Sequence, residues 1–587
     1  MKPLSPEQVI RRPLAGDADQ LPETIHPVLR RVFLARGVSS EADITLTLAR
    51  MLSPEGLGDV DRAARRLASA VTNNEKILIV GDFDADGATG SALAVRALTA
   101  MGAQRVDFRV PNRFEFGYGL TVPLVDTLAD DPPDLIVTVD SGVSSIAGVD
   151  RAAELGCEVI VTDHHLPGET LPAATAIVNP NLHDDEFPSK ALAGVGVVFY
   201  LLGMVRRELD SQDWFGTNTQ MPQMSQWLDL VALGTVADLV PLDHNNRILV
   251  RNGIERIRRG LASPGVMALL RVADRDYRHV KASDLGFAVG PRLNAAGRLE
   301  DMSVGIRCLI SNDRNEAMEL AGQLDSLNRQ RRDLQEDMQR EAMQTVQELL
   351  EKLEGESLPS ALTLFDEGWH QGVVGLVASR IKDTIHRPVV AFAPESAGSN
   401  IIKGSARSIR GLHIRDALAV VDALNPGLMM AFGGHAMAAG LTMDRKSLEV
   451  FTSAFEKAIS DQLDGAEPVN EVRTDGELGH RELNLELALS LEQSGPWGQR
   501  YPEPLFDGYF EVVDQRIVGE KHLKMSLRAI DGNQAMDAIA FNQLPEDLER
   551  AAGGSGSQTV RMLYRLDVNR WQGRERCQLL IEHFVSG

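Results

Sequence analysis

Four short segments of this chain concentrate the side chains able to do chemistry. Asp82-Phe83-Asp84-Ala85-Asp86-Gly87 sets three carboxylates on alternate positions. Asp140 follows the apolar run of residues 134–139, DLIVTV. Asp163-His164-His165 joins a carboxylate to two imidazoles, and Asp238 closes the apolar run of residues 228–237. Carboxylates brought close together repel one another unless cations neutralise them. Oxygen donors with one or two imidazoles suit Mn2+ or Mg2+ better than a thiol-rich zinc site would. Two such ions side by side are the common apparatus for cleaving phosphate esters. Taken singly, each segment also reads as a helix cap, a turn or a polar strand end. Taken in order, each after an apolar segment, the four point to one shared cleft. A calcium loop of the EF-hand kind is excluded, because the closing position, 93, is Leu rather than Glu.

Strand and helix ends must deliver those groups. Residues 76–80, KILIV, predict a buried strand ending at Gly81. Residues 106–110, 134–139 and 158–162 predict further strands, with helices over 91–101 and 146–155. This alternation predicts an α/β fold whose mainly parallel sheet is covered on both faces. In such sheets functional groups gather beyond the carboxyl ends of the strands. Leu320, Leu324, Leu327, Leu334 and Met338 recur at helical spacing and predict one long helix packed along its leucine stripe. A second α/β segment carries strands at 361–365 and 389–392, a helix at 373–382 and a glycine-rich turn at 433–440. Short strand-like runs at 509–513, 523–527, 536–541, 560–567 and 577–582 predict a C-terminal β-barrel of the OB-fold kind. Residues 553–557, GGSGS, predict a flexible loop. The expected division is an N-terminal extension over 1–45, a catalytic α/β domain over 46–312, a connecting helix over 313–355, a substrate-binding α/β domain over 356–465 and a barrel domain over 466–587.

Composition sets the class. A chain of 587 residues calls for several domains, and 43% hydrophobic with 24% charged residues is a soluble globular balance. No apolar run approaches the length of a membrane helix, and residues 1–14 lack the apolar core of a secretory signal. Cys157, Cys308 and Cys577 lie far apart, without zinc-like spacing or a disulfide framework, which fits the cytoplasm. The net charge of -23 runs against a nucleic-acid binder. Two features soften that objection. Part of the acid is proposed to hold metal, and residues 247–298 carry eleven Lys or Arg against four Asp or Glu.

The same residues carry a resemblance. The aspartates 82, 84 and 86 with Gly87, Asp140-Ser141-Gly142, Asp163-His164-His165 and Asp238 resemble the four motifs of the DHH phosphoesterase superfamily. Pro111-Asn112-Arg113 with Gly117-Tyr118-Gly119-Leu120, the block GPRLNAAGR over 290–298, and Pro502-Glu503-Pro504 are similar to blocks of its RecJ exonuclease family. Gly433-Gly434-His435 with Ala439-Gly440 resembles the DHHA1 signature. The resemblance runs from about residue 45 to 587. It implies two divalent cations, Mn2+ or Mg2+, held by Asp84, Asp86, Asp140, His164 and Asp238, with Asp140 between them. It leaves His165 as a ligand or a contact to the scissile phosphate, and Asp82 as a ligand or an orienting group. It implies a 5′-to-3′ exonuclease that degrades single-stranded DNA to 5′-mononucleotides in repair and recombination. Single-strand-binding protein and a helicase are implied as partners, and a monomer is expected. Candidate substrate contacts are Arg113, Tyr118, Arg292, Asn294, Arg298, Ser405, Arg407, Gly433, Gly434, His435 and Trp571, through guanidinium forks on phosphate, close backbone approach and stacking on bases. The competing readings are another phosphodiesterase of the superfamily and a non-catalytic replication scaffold. The intact motifs and the long helix with its barrel tail weigh against both.

Overall fold

A computed structural model describes residues 8–17, 20–112, 115–216, 219–352, 359–464, 468–519, 521–552 and 559–585. The expected glycine–serine loop at 553–557 lies outside them. The first sheet comprises β1 (Ile77–Gly81), β2 (Val106–Arg109), β3 (Leu135–Val139), β4 (Glu158–Thr162) and β5 (Ala176–Val178). All five strands are parallel, in the order β2-β1-β3-β4-β5. Alternate residues serve opposite faces. Ile77, Ile79, Leu135, Val137 and Ile160 enter the principal core, whereas Leu78, Val80, Ile136, Val159 and Val161 build a second core on the other side. Burial on both faces is why these strands read as unbroken apolar runs. The register pairs Gly81 with Val139, Val139 with Thr162 and Thr162 with Val178, so four carboxyl ends stand level. The chain leaves β1 for β2 on one side and returns to β3 on the other, which opens a crevice at those ends.

Helix α1 (Ala85–Ala100) follows β1 and packs with α2 (Gly194–Ser211) and α3 (Leu228–Ala237); α4 (His244–Arg258) packs on α3. Helix α1 starts at Ala85 rather than at the expected 91, because Asp84 caps it: its Oδ1 accepts from the N–H groups of Asp86 at 2.9 Å and Gly87 at 3.0 Å. Position 87 in the first turn of this helix must be glycine, because a Cβ there would stand 2.5 Å from the Asp82 carbonyl oxygen. Helix α5 (Gly290–Leu299) precedes α6 (Arg314–Lys352). The 39 residues of α6 span about 58 Å at about 1.5 Å per residue. Ala317, Ala321, Leu324 and Leu327 lie in the principal core, and Met338 and Ala342 in the core of a second lobe.

That lobe contains β6 (Leu362–Phe365), α7 (Val374–Ile385), β7 (Val389–Pro394), β8 (Ile401–Arg407), β9 (Ala431–Gly434) and β10 (Ala438–Asp444), with sheet order β9-β10-β8-β7-β6. The expected glycine-rich turn at 433–440 is instead an antiparallel hairpin, with Gly433 opposite Gly440. Strand β8 was absent from the sequence reading because Gly404 interrupts its pattern; Phe392 and Leu441 crowd that position, where a Cβ would meet them at 2.5 and 2.8 Å. The C-terminal strands β11 (Phe506–Val518), β12 (His522–Ala529), β13 (Ala535–Ala540), β14 (Thr559–Trp571) and β15 (Arg574–Val585) close a barrel in the order β11-β12-β13-β15-β14. Its core is continuous with that of the first lobe. The N-terminal residues join both ends of the molecule. Gln8–Arg11 pairs in parallel with Glu471–Thr474, and the helix Pro27–Leu34 buries Val32 and Leu34 in the principal core. Among the described residues no helix is long and apolar enough to cross a membrane.

Candidate metal centre

The level strand ends bring the four motifs together. Asp82 and Asp140 continue β1 and β3 as ladder extensions: the Asp82 N–H donates to Val139 O at 3.1 Å and the Asp140 N–H to Thr162 O at 3.0 Å. Asp140 takes φ 61°, a left-handed conformation that aspartate tolerates better than most residues. Gly194 lets α2 approach it; a Cβ there would stand 2.6 Å from Asp140 Cβ. The N–H groups of Gly194 and Val195, in the first turn of α2, donate to the Asp86 carboxylate at 2.5 and 3.0 Å. Asp238 enters from the carboxyl end of α3.

Asp163 holds both histidines. Its Oδ1 accepts from the His164 and His165 N–H groups at 2.7 and 3.0 Å and lies 2.8 Å from His165 Nδ1, while its Oδ2 accepts from the Val143 N–H at 2.9 Å. Asn179 and Asn181 donate to the carbonyls of His165 and His164 at 2.9 and 2.6 Å. Asn179, Asn181 and Gly194 were not among the residues expected here, and Asp163 was expected only as part of its motif, without a separate role. The available signals were the motif aspartate itself and Asn179-Pro180-Asn181 directly after a short apolar run.

Among the described residues, three overlapping groups have the spacing to hold an ion: Asp82, Asp84 and Asp140; Asp86, His164 and Asp238; and Asp140, His164 and His165. Within each group the ligand atoms lie within 4.8 Å of one another. His164 Nε2 is 3.0 Å from Asp140 Oδ1 and 3.5 Å from Asp238 Oδ2. Asp140 Oδ1 and His164 Nε2 are buried, yet no hydrogen bond satisfies either among the described residues. Two unsatisfied donor atoms facing one another are what ligands of a shared cation present, so this residue set fits a metal centre.

The electrostatics agree. Burial, then repulsion from Asp84, pushes the Asp86 carboxyl up to about 7. Burial, then Asp86 and Asp84, raises Asp140 and Asp238 well above the carboxylate range. Burial, then neighbouring His165, lowers His164 to about 4, leaving it neutral and able to ligate. Burial opposes ionisation of both Asp163 and His165, but their mutual hydrogen bond and attraction prevail, lowering the first and raising the second. The cluster therefore splits into carboxyls that need a cation to ionise and a carboxylate–imidazole pair that does not.

Comparison with known proteins matches this arrangement. The DHH family, N-terminal domain, covers residues 76–235; the DHHA1 domain covers 358–461; and the RecJ OB domain covers 474–583. The chain is 49% identical over 580 residues to the single-stranded-DNA-specific exonuclease RecJ of Escherichia coli strain K12, covering 98% of each chain. It is 47% identical to the Haemophilus influenzae protein of the same name, covering 95% of this chain and 96% of that one. The chain belongs to the RecJ exonuclease family. Its fold is similar to that of RecJ in complex with Mn2+ from Thermus thermophilus, with TM-score 0.78, 30% identity and coverage of 99% of this chain and 79% of that one.

Within this RecJ-family architecture, the expected substrate contacts go to different places. Tyr118 reaches the centre: its hydroxyl donates to Asp140 O at 3.1 Å and lies 3.3 Å from His165 Nδ1, its ring stands edge-on to Phe83 and His165, and 46% of it is exposed. From the second lobe, Ser405 and Arg407 end β8 against the first turn of α7, where a Cβ on Gly375 would meet both side chains. His435 is exposed beyond β9, and burial and then repulsion from His165 lower its pKa. Gly434 turns the hairpin at φ 142°, and the space beside Gly433 is open. Arg298 Nη1 donates to Gly372 O at 3.0 Å and so ties one lobe to the other. Two of the expected contacts already have partners in the fold: Arg292 is buried on Asp325, and Asn294, half-buried, accepts from the Ala85 N–H at 2.7 Å through Oδ1, beside Asp84. Arg113 and the Trp571 side chain lie outside the described residues; the Trp571 backbone pairs with Arg574 at the tip of the β14–β15 hairpin.

Proposed function

We propose that this chain is a divalent-cation-dependent exonuclease that degrades single-stranded DNA from the 5′ end to 5′-mononucleotides, acting in the cytoplasm in repair and recombination. One observation carries the reading. Asp82, Asp84, Asp86, Asp140, Asp238, His164 and His165 converge at one crevice, in a chain 49% identical to a single-stranded-DNA-specific exonuclease. Asp84, Asp86, Asp140, His164 and Asp238 would hold two divalent ions, Mn2+ or Mg2+. Such ions would activate water for attack on phosphorus and offset charge on the phosphoryl oxygens. The rest is done by the chain itself. Asp163 fixes the backbone of both histidines and the ring of His165, while His164 presents Nε2 toward Asp140 and Asp238. The pairing of Asp163 with His165 favours a cationic imidazole beside Asp140, suited to the scissile phosphate. Asp82 completes the outer group with Asp84. Tyr118 offers a ring edge to the terminal base. From the second lobe, Arg407, Ser405 and His435 would bind the terminal phosphate and nucleotide. The barrel, including Trp571 at its hairpin tip, guides the rest of the strand. Single-strand-binding protein and a helicase supply substrate, and the enzyme works as a monomer.

The test is product analysis on single strands labelled at either end, with Mn2+, Mg2+ or chelator. Mononucleotides released first from the 5′ end, only with a cation, are expected, and Asp140→Ala should abolish them. Release from the 3′ end, or equal trimming of blunt duplex, would refute the polarity or the strand preference.

A further inference from the structure

The backbone just beyond Asp238 is restrained in an unusual way. Leu239 takes φ 60°, strained for a leucine, and 62% of it is exposed. Such a conformation persists only where its surroundings over-determine it. On one side the segment faces a cavity of about 310 Å³, lined in part by Val236, Leu239, Val240 and Phe287, so core packing does not fix it there. The Leu239 N–H donates to Val236 O at 3.3 Å, and the other restraints come afterwards. Pro241 O accepts from Asn246 Nδ2 at 2.9 Å, and the Leu242 N–H donates to Gln499 O at 2.8 Å. Gly498 lies so close that a Cβ would stand 2.7 Å from Leu242 Cδ1. The turn that presents Gln499 is closed by two bonds between Gly498 and Tyr501, at 2.9 and 3.1 Å.

Two buried guanidiniums grip this turn. Arg247 of α4, 4% exposed, lies 3.9 Å from the centroid of the Tyr501 ring, and Tyr501 stacks on Trp497 at 5.2 Å and 11°. Arg36, from the N-terminal extension, stands 5.2 Å over Trp497, forks onto Asp475 at 2.7 and 3.1 Å, and donates to Pro502 O at 2.8 Å. Burying two guanidiniums is costly unless their partners hold them in place. None of these groups is a candidate ligand. What they fix is Gln499 O, and through it the chain leading back to Asp238.

We propose that the turn over residues 495–502 is a positioning element of the metal centre. Clamped by Arg36 and Arg247, it sets the segment from Asp238 to Leu242, and with it the ion locus of Asp86, His164 and Asp238. Seating the barrel domain on the first lobe and preparing that locus are then one event. Arg36, Arg247 and Tyr501 are positioning residues, and the inference rests on reading the cluster as a metal centre.

Mn2+ binding to the full-length, chelator-stripped protein tests it, followed by electron paramagnetic resonance. The wild type should bind two ions. Tyr501→Ala should weaken one of them about 10- to 100-fold, the scale on which groups that orient metal ligands act, and leave the other unchanged. Tyr501→Phe keeps the stack and should restore both. In cleavage assays the half-saturating Mn2+ concentration should rise by the same factor in Tyr501→Ala, with the rate at saturating Mn2+ nearly kept. Gly498→Ala, whose added methyl would press on Cδ1 and Cγ of the buried Leu242, should give the same split without disturbing the aromatic stack. Folded variants that bind both ions with wild-type affinity, or lose both equally, overturn the proposal. Asp140→Ala separates the two readings. If it binds two ions like the wild type, the metal centre is wrong and this inference falls with it. If wild-type protein binds two ions but does not cleave single strands, only the assigned activity falls.

Discussion

Helix α5 and strand β8 each end in a motif whose arginines were read as contacts to phosphate, and the fold spends them differently. On α5, Arg292 is 8% exposed; its Nε and Nη2 lie 2.9 and 2.8 Å from Asp325 Oδ1 on α6, and its Nη1 donates to Ala288 O. On β8, Arg407 is also largely buried, and burial lowers its pKa, but its Nη1 donates only to neutral acceptors, Ser405 Oγ at 2.9 Å and Ala406 O at 2.8 Å. Among the described residues no carboxylate pairs with it. A guanidinium neutralised inside a core is scaffold. One left with neutral partners only keeps its charge for an anion, and desolvation strengthens the bond it then makes.

Breaking each arginine separates the two roles. Arg292→Ala strands the buried Asp325 carboxylate, whose remaining partner, Arg329, is mostly exposed. A loss of about 3 kcal/mol is expected in urea unfolding, typical of halving a buried pair. The folded enzyme should keep kcat/KM within about twofold. Arg407→Ala should do the reverse. Melting stays near wild type, while kcat/KM on single strands falls about 10- to 100-fold, the value of one charge-assisted hydrogen bond of about 1.5–3 kcal/mol. Lysine at 407 should recover only part, since it cannot reproduce the fork. An Arg292→Ala protein that is stable and inactive would erase the contrast.

The candidate centre was legible because its residues directly follow buried strands or a buried helix, where packing forces apolar runs and the next residue is marked by its polarity. The parallel sheet, the long helix and the barrel were legible for the same reason: their hydrophobic periods are set by packing. What escaped depends on contacts far apart in sequence. Asn179 and Asn181 hold the histidine carbonyls, Asp86 is held by N–H groups of a helix more than a hundred positions away, and Asn294 caps α1 from α5; no local pattern announces such pairings. Strand β8 was hidden by Gly404, which is small because two neighbouring side chains need the space. The exposed hairpin of Gly433 and Gly434 looked like a turn because glycine gives no periodicity to read.

A smaller effect probes the centre itself. Asp86 titrates near 3.8 in an unfolded chain and at about 7 in the fold, through burial and then Asp84. Its folded pKa is raised, so its contribution to stability is complete below about 3.8 and is lost as pH rises through about 7. Chelator-treated protein should therefore melt lower at pH 8 than at pH 6. Added Mn2+ should raise the melting temperature more at pH 8, because the ion no longer has to displace a proton. A Mn2+ gain independent of pH would remove Asp86 from the ligand set.

The smallest expected change returns to α5. Asn294→Ala leaves the Ala85 N–H without its acceptor at the start of α1, next to Asp84. The cost should be about 1–2 kcal/mol, the range for an unsatisfied buried donor. If α5 is scaffold, KM for single strands stays put while the half-saturating Mn2+ concentration rises severalfold, since Asp84 loses its fixed position. If Asn294 instead touches DNA, KM rises and the Mn2+ dependence does not move, and α5 would then have to be regrouped with β8.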